Sequence, residues 1–161
     1  MSDLARELEA SSDFSDLFSL VKKSVRKSLG EHRVGLMLYL GDLPMRIGAF
    51  HSPGTNDIVL NRRLLNKVTR ERPPMGRKAF LFTILLHEYL HSLGYLDEKE
   101  VRGLVYQISV ENLGKAHPVT LMAMTGPWVN LTDEELDELG QVIDNLELVR
   151  DFERPEHQYI I

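Results

Sequence analysis

The chain contains no cysteine. That excludes disulfides, thiolate ligands to a metal and a cysteine-based latency switch. It also lacks any apolar run approaching the roughly 20 residues of a membrane-spanning helix. Its N-terminal MSDLARELEA has none of the layout of a secretory signal. A cytoplasmic protein with no membrane contact is therefore expected. Internal repeats and low-complexity segments are missing too. Positive charge is in deficit, with 19 Lys and Arg against 24 Asp and Glu and a pI near 5.7. An acidic chain argues against a nucleic-acid partner, because phosphate binding needs clustered positive charge.

What is present is ordinary for a globular protein. The 161 residues are 43% hydrophobic and 27% charged, enough for one domain with a real core. Residues 1–11 and 151–161 read as peripheral tails, the first a short or fraying helix with Leu4 and Leu8 at helical spacing. Charge is distributed unevenly. Residues 1–96 carry 14 Lys and Arg against 10 Asp and Glu, while residues 97–161 carry 5 against 14. The basic side chains thicken at Arg62, Arg63, Lys67, Arg70, Arg72, Arg77 and Lys78. Such a run is either a solvated face or a patch for an acidic partner.

The stretch that carries chemistry is Phe80 to Glu98, FLFTILLHEYLHSLGYLDE. His87, Glu88 and His91 form an H-E-x-x-H pattern. Residues four apart share one face of a helix, so His87 and His91 can offer two imidazole nitrogens to one ion. Glu88, the next residue round the helix, can reach a water at that ion without being a ligand. Gly94 can end the helix in a left-handed conformation. Asp97, just past the turn, can then return as third ligand. Three protein ligands with one position open is the arrangement of a catalytic zinc. The preceding AFLFTILL (residues 79–86) is polar only at Thr83, which predicts a buried helix. Two histidines and a glutamate in such a helix are costly without partners, and one Zn2+ would supply them.

Asp97 also has a plainer use. Asp97, Glu98 and Glu100 open the next predicted helix and suit its dipole. If Asp97 only does that, the third ligand comes from elsewhere. Glu111 is the main alternative, with Glu98, Glu100 and His117 behind it. His51 falls at a loop, far from the motif.

The pattern H-E-x-x-H-x-x-G-x-x-D, filled by His87, Glu88, His91, Gly94 and Asp97, resembles the metzincin group of zincin metallopeptidases. It is similar to the variants with Asp as third ligand, such as the snapalysin family. The resemblance implies a zinc endopeptidase acting on a peptide or protein, with His87, His91 and Asp97 as ligands and Glu88 as general base. It also implies a methionine turn under the metal, for which Met122 or Met124 is available; both also suit core packing. A glutamate ligand at Glu111 would instead resemble the thermolysin-type gluzincins. H-x-x-x-H-x-x-G-Y is also similar to a bacterial rRNA-maturation endoribonuclease family, which keeps a zinc-dependent RNA hydrolase as an alternative. A metal-binding regulatory module without turnover is the other.

In chain order, the stripe Phe14, Leu17, Phe18, Val21, Val25 and Leu29 predicts a helix over 13–29 that Gly30 closes. Val34–Leu40, Met45–His51 and Asp57–Asn61 predict three strands. The last of these reads as the edge that holds substrate in the zincin picture. Helices follow over 62–70, 77–93 and 97–113. An irregular segment over 116–130 is the expected floor of the pocket. Thr132 and Glu135 form a capping box that starts a final helix running to Val149, with Leu136, Leu139, Val142, Ile143, Leu146 and Val149 inward. The whole predicts an α+β, zincin-like single domain with a small mixed sheet of three strands.

Overall fold

The computed structural model describes residues 1–126, 131–138 and 144–153. Helices α1 (Asp3–Ala10) and α2 (Phe14–Leu29) lead into strands β1 (Met37–Asp42), β2 (Ala49–His51) and β3 (Asp57–Asn61). Helices α3 (Arg62–Glu71), α4 (Pro74–Ser92), α5 (Glu98–Leu113), α6 (Pro118–Thr125) and α7 (Asp133–Leu136) follow, and strand β4 (Asp144–Leu148) comes last. The architecture is α+β, with a mixed sheet in the order β2-β3-β1-β4. β1 and β3 run parallel with Leu38 opposite Ile58 and Leu40 opposite Leu60. β2 and β4 are antiparallel to their neighbours.

α4 is the centre of the packing. Phe80, Phe82, Leu85, Leu86, Tyr89 and Leu90 are all buried, as an all-round apolar helix requires. They share one core with Leu38, Ile58 and Leu60 of the sheet and with Phe18, Val21 and Val25 of α2. α2 begins and ends as its sequence dictates. Asp13 caps its N-terminus by accepting from the Asp16 N–H, and Gly30 closes it at φ 71°. α1 belongs to this core as well: Leu4, Ala5 and Leu8 are buried, so residues 3–10 are not a loose tail. No helix among the described residues is long and apolar enough to cross a membrane.

Several boundaries differ from the sequence pattern, each for a visible reason. The first strand starts at Met37 rather than Val34, because Gly35 at φ 93° breaks the extended run and leaves Val34 exposed. The strand expected over Met45–His51 shrinks to Ala49–His51. Asn61, fully buried, donates through Nδ2 to the carbonyls of Leu43, Pro44 and Ile47 at 3.3, 3.0 and 2.8 Å. That ties residues 43–48 into a loop. The same side chain accepts from the Arg63 N–H at the start of α3 through Oδ1, at 3.1 Å. Replacing Asn61 with Ala removes these bonds: the Leu43 carbonyl keeps Arg63 Nη1 at 2.9 Å and the Pro44 carbonyl keeps the Ile47 N–H at 2.9 Å, but the Ile47 carbonyl and the N–H groups of Leu43 and Arg63 lose the Asn61 side chain. We expect a loss of about 2–4 kcal/mol of stability in denaturant unfolding.

The largest departure is the final helix. The capping box between Thr132 and Glu135 is present, but α7 stops at Leu136, and residues 144–148 form β4 instead. Leu136 and Leu146, expected inward, are exposed, whereas Val149 does pack against the core. The main-chain groups along the outer side of β1 account for the change. They need partners, and β4 supplies them, overriding the helical period of the side chains. Leu139, Val142 and Ile143 of that expected helix lie outside the described residues, as do Trp128 and the segment 154–161 with His157. The irregular segment expected over 116–130 contains α6, capped by His117 and opened by Pro118. The substrate-edge assignment also moves. β3 is interior to the sheet, and β2 takes the edge.

Candidate metal centre

The last turns of α4 present His87 and His91 one above the other. Their ring centroids lie 4.9 Å apart, and the two Nε2 atoms face each other at 3.2 Å. At that distance either one nitrogen carries a proton and donates to the other, or a cation lies between them. Three interactions hold this arrangement. Gly94, at φ 107°, donates to the His91 carbonyl at 3.0 Å, and Tyr95 N–H reaches back to the Leu90 carbonyl at 3.3 Å. Together these form a Schellman turn. The turn places the Tyr95 carbonyl 2.7 Å from His91 Nδ1. A carbonyl only accepts, so His91 Nδ1 donates to it, and Nε2 is the ring nitrogen that faces His87 and Glu98. An imidazole held this way is oriented for a cation.

The turn then delivers a carboxylate, and it is that of Glu98. Its Oε1 lies 2.6 Å from His91 Nε2, and its Oε2 lies 3.1 Å from His87 Nε2. Asp97 is elsewhere. Its Oδ1 accepts from the N–H groups of Lys99 at 2.8 Å and Glu100 at 3.1 Å, capping α5. The expected position of Asp97 beside the histidines is thus corrected to a capping position, with Glu98 taking its place. The physical reason is the register of the helix start. A cap residue points its side chain back at its own helix, so the next residue is free to face α4. The spacing Asp97-x-x-Glu100 is itself a cap signature that the sequence displays.

His87, His91 and Glu98 are the only three metal-ligand residues brought together among the described residues. Glu111 sits thirteen residues further along α5, about 20 Å at helical rise, and is exposed. His117 caps α6, and His51 Nδ1 lies 3.0 Å from the Asp57 carbonyl. The trio fits a zinc ion. It combines two borderline-soft nitrogens with one anionic oxygen. Ligand atoms about 2.0–2.1 Å from a tetrahedral ion stand about 3.3 Å from one another, close to the 3.2 Å between the two nitrogens and the 3.1 Å from Glu98 Oε2 to His87 Nε2; Glu98 Oε1, at 2.6 Å from His91 Nε2, stands at a hydrogen-bond distance and would move outward by about 0.7 Å to share an ion.

Electrostatics at the site follow from burial. Desolvation pushes His87 below the usual histidine value, partly opposed by the Glu98 charge. Burial pushes the Glu98 carboxyl up, but the two imidazoles outweigh it and the net shift is downward. Glu88 is 5% exposed. Desolvation, partly offset by His91, pushes its carboxyl up to about 7.

Glu88 and His87 open onto a cavity of about 470 Å³. Its walls come from the 43–48 loop, the start of β2, α4, α5 and α6. Met122 is in that wall, while Met124 points to solvent and is 61% exposed. On a helix, unlike an extended chain, residues two apart face different ways. Residues 1–11 take no part in the cavity lining. Compared with family models, curated proteins and solved structures, the chain finds no match. The metzincin resemblance therefore rests on the sequence of the stretch His87–Asp97 alone.

Proposed function

We propose that this chain is a zinc-dependent peptidase whose ion is held by His87, His91 and Glu98. The observation that carries the reading is the convergence of these three ligand atoms beside a buried, proton-accepting Glu88 at the mouth of a cavity. When bound, zinc supplies Lewis acidity to the scissile carbonyl and to the attacking water. Glu88 accepts the proton of that water and returns it to the leaving amine. His91 is kept in one tautomer by the Tyr95 carbonyl. The Glu98 carboxylate balances part of the ion's charge. Tyr95 in turn donates its hydroxyl to Glu31, which pins the turn that carries Glu98 into place.

Substrate has a natural rail. β2 is a sheet edge, paired with β3 on one side, and its Ala49 lines the cavity. An extended peptide can add to that edge by main-chain hydrogen bonds and cross the site. RNA is the weaker substrate, because much of the basic cluster is spent internally. Arg62 pairs with Asp42 and Glu147, Arg63 with Glu138 and Lys67 with Glu135. Lys78 donates to the Glu9 carbonyl.

The test is metal content followed by turnover. Dialysed protein should retain one equivalent of zinc, and the zinc-loaded form should cleave peptides from a mixed library. Protein that binds no zinc at neutral pH would sink the reading. Zinc without cleavage would reduce it to a binding module.

A further inference from the structure

The cavity beside the metal centre is mixed in a specific way. Most of its wall is apolar, with Ile47, Leu64, Phe80, Ile84, Val105 and Met122 contributing. Two arginines complete it, Arg46 from the 43–48 loop and Arg102 from α5. Arg102 is one helical turn beyond Glu98, on the same face of α5. Both arginines are exposed, and neither has a carboxylate partner among the described residues. The contrast with Arg62 and Arg63, which are tied into ion pairs, sets these two apart.

An arginine without a carboxylate partner at the rim of a largely apolar pocket is a recognition element for planar anions, since its forked donors match a carboxylate. Two of them reinforce one another's potential. The apolar wall has room for one large side chain, as cavities of a few hundred cubic ångströms do. Gly48 keeps that wall tight: a Cβ there would meet Ile84 Cδ1 at 2.3 Å.

We infer that the site selects a peptide whose apolar residue fills this cavity and carries, or is followed by, a carboxylate held by Arg46 and Arg102. The carboxylate is either a free chain terminus or an acidic side chain. This specificity rests on the peptidase reading above, so its test is made by binding rather than cleavage. The probe is zinc-loaded Glu88→Gln protein, which holds peptides without turning them over. Three labelled peptides are compared by fluorescence anisotropy. They share an apolar residue and differ only in ending: a free acid, an amide, or an amide with Asp after the apolar residue.

At least one carboxylate peptide should bind about tenfold more tightly than the neutral amide. Which one does so identifies the source of the carboxylate. The preference should shrink with added salt and vanish in the Arg46→Gln, Arg102→Gln double variant. Both positions are exposed, so folding should survive the changes. Zinc itself attracts carboxylates, and the double variant separates that effect. A preference that persists without the arginines belongs to the metal and overturns the inference. Equal binding of all three peptides, or binding of none, overturns it as well. Absence of cleavage by the wild type bears only on the peptidase reading.

Discussion

Replacing Glu88 with Gln should leave zinc at one equivalent and reduce peptide cleavage by about two to four orders of magnitude. The side chain keeps its shape and loses only its capacity to take a proton. Measuring metal content and kcat on the same sample separates the two roles. A variant that cleaves as fast as the wild type would remove Glu88 from the chemistry. A variant that loses its metal would show that Glu88 holds the ion.

The same substitution has an opposite effect on stability, and its sign follows from burial. In the folded, metal-free protein burial pushes the Glu88 carboxyl up to about 7, from an ordinary value near 4.5. The folded state therefore binds this proton more tightly than the unfolded state. Stability from this group is full below about pH 4.5 and declines as pH rises, reaching its lowest level above about pH 7. The cost is on the order of 3 kcal/mol. Gln carries no charge and avoids it. With chelator present, Glu88→Gln should melt above the wild type at pH 8 and match it at pH 4. A residue retained at such a cost is explained by use of its charge rather than by packing.

The readable parts of this chain were those in which one local rule decides the outcome. The helix that carries His87, Glu88 and His91, the Gly94 stop, the Thr132 and Glu135 capping box and the strand Asp57–Asn61 follow from spacing within a few residues, and all appear in the fold. The parts that were not readable depend on distant partners. Asn61 converts the expected strand at Met45 into a loop by collecting three carbonyls from 14 to 18 residues away. β4 replaces a helix because β1, roughly a hundred residues earlier, has an edge to fill. Arg33 shows the same dependence. It joins the end of α4 to the loop before β3 through the carbonyls of Ser92 and Thr55, a link that periodicity does not display. At the site, His87, Glu88 and His91 were legible because one helix carries all three. The third carboxylate was not, because it turns on a shift of one residue at the start of α5.

That one-residue shift is the sharpest point on which the geometry departs from the motif, and a pair of variants decides it. Glu98→Gln should weaken zinc binding by about 10- to 100-fold or more, since it removes the only anionic oxygen of the trio. It should leave the helix intact, because the Glu98 side chain caps nothing. Asp97→Asn should leave both zinc affinity and the helix unchanged, since Asn is as good an N-cap as Asp. Asp97→Ala should cost about 1 kcal/mol through the lost bonds to Lys99 and Glu100, with zinc affinity nearly unchanged. Competition against a chelating dye reads the affinity, and thermal melting of the metal-free proteins reads the cap. The opposite pattern, with zinc lost in Asp97→Asn and kept in Glu98→Gln, would mean that the ion draws Asp97 off its cap when it binds. α5 would then have to give up two N–H bonds to complete the site. The two carboxylates are adjacent in sequence but answer to different elements, Asp97 to its own helix and Glu98 to the histidines of α4. Zinc affinity should therefore follow the residue that faces across the turn, and helix stability the residue that faces back along it.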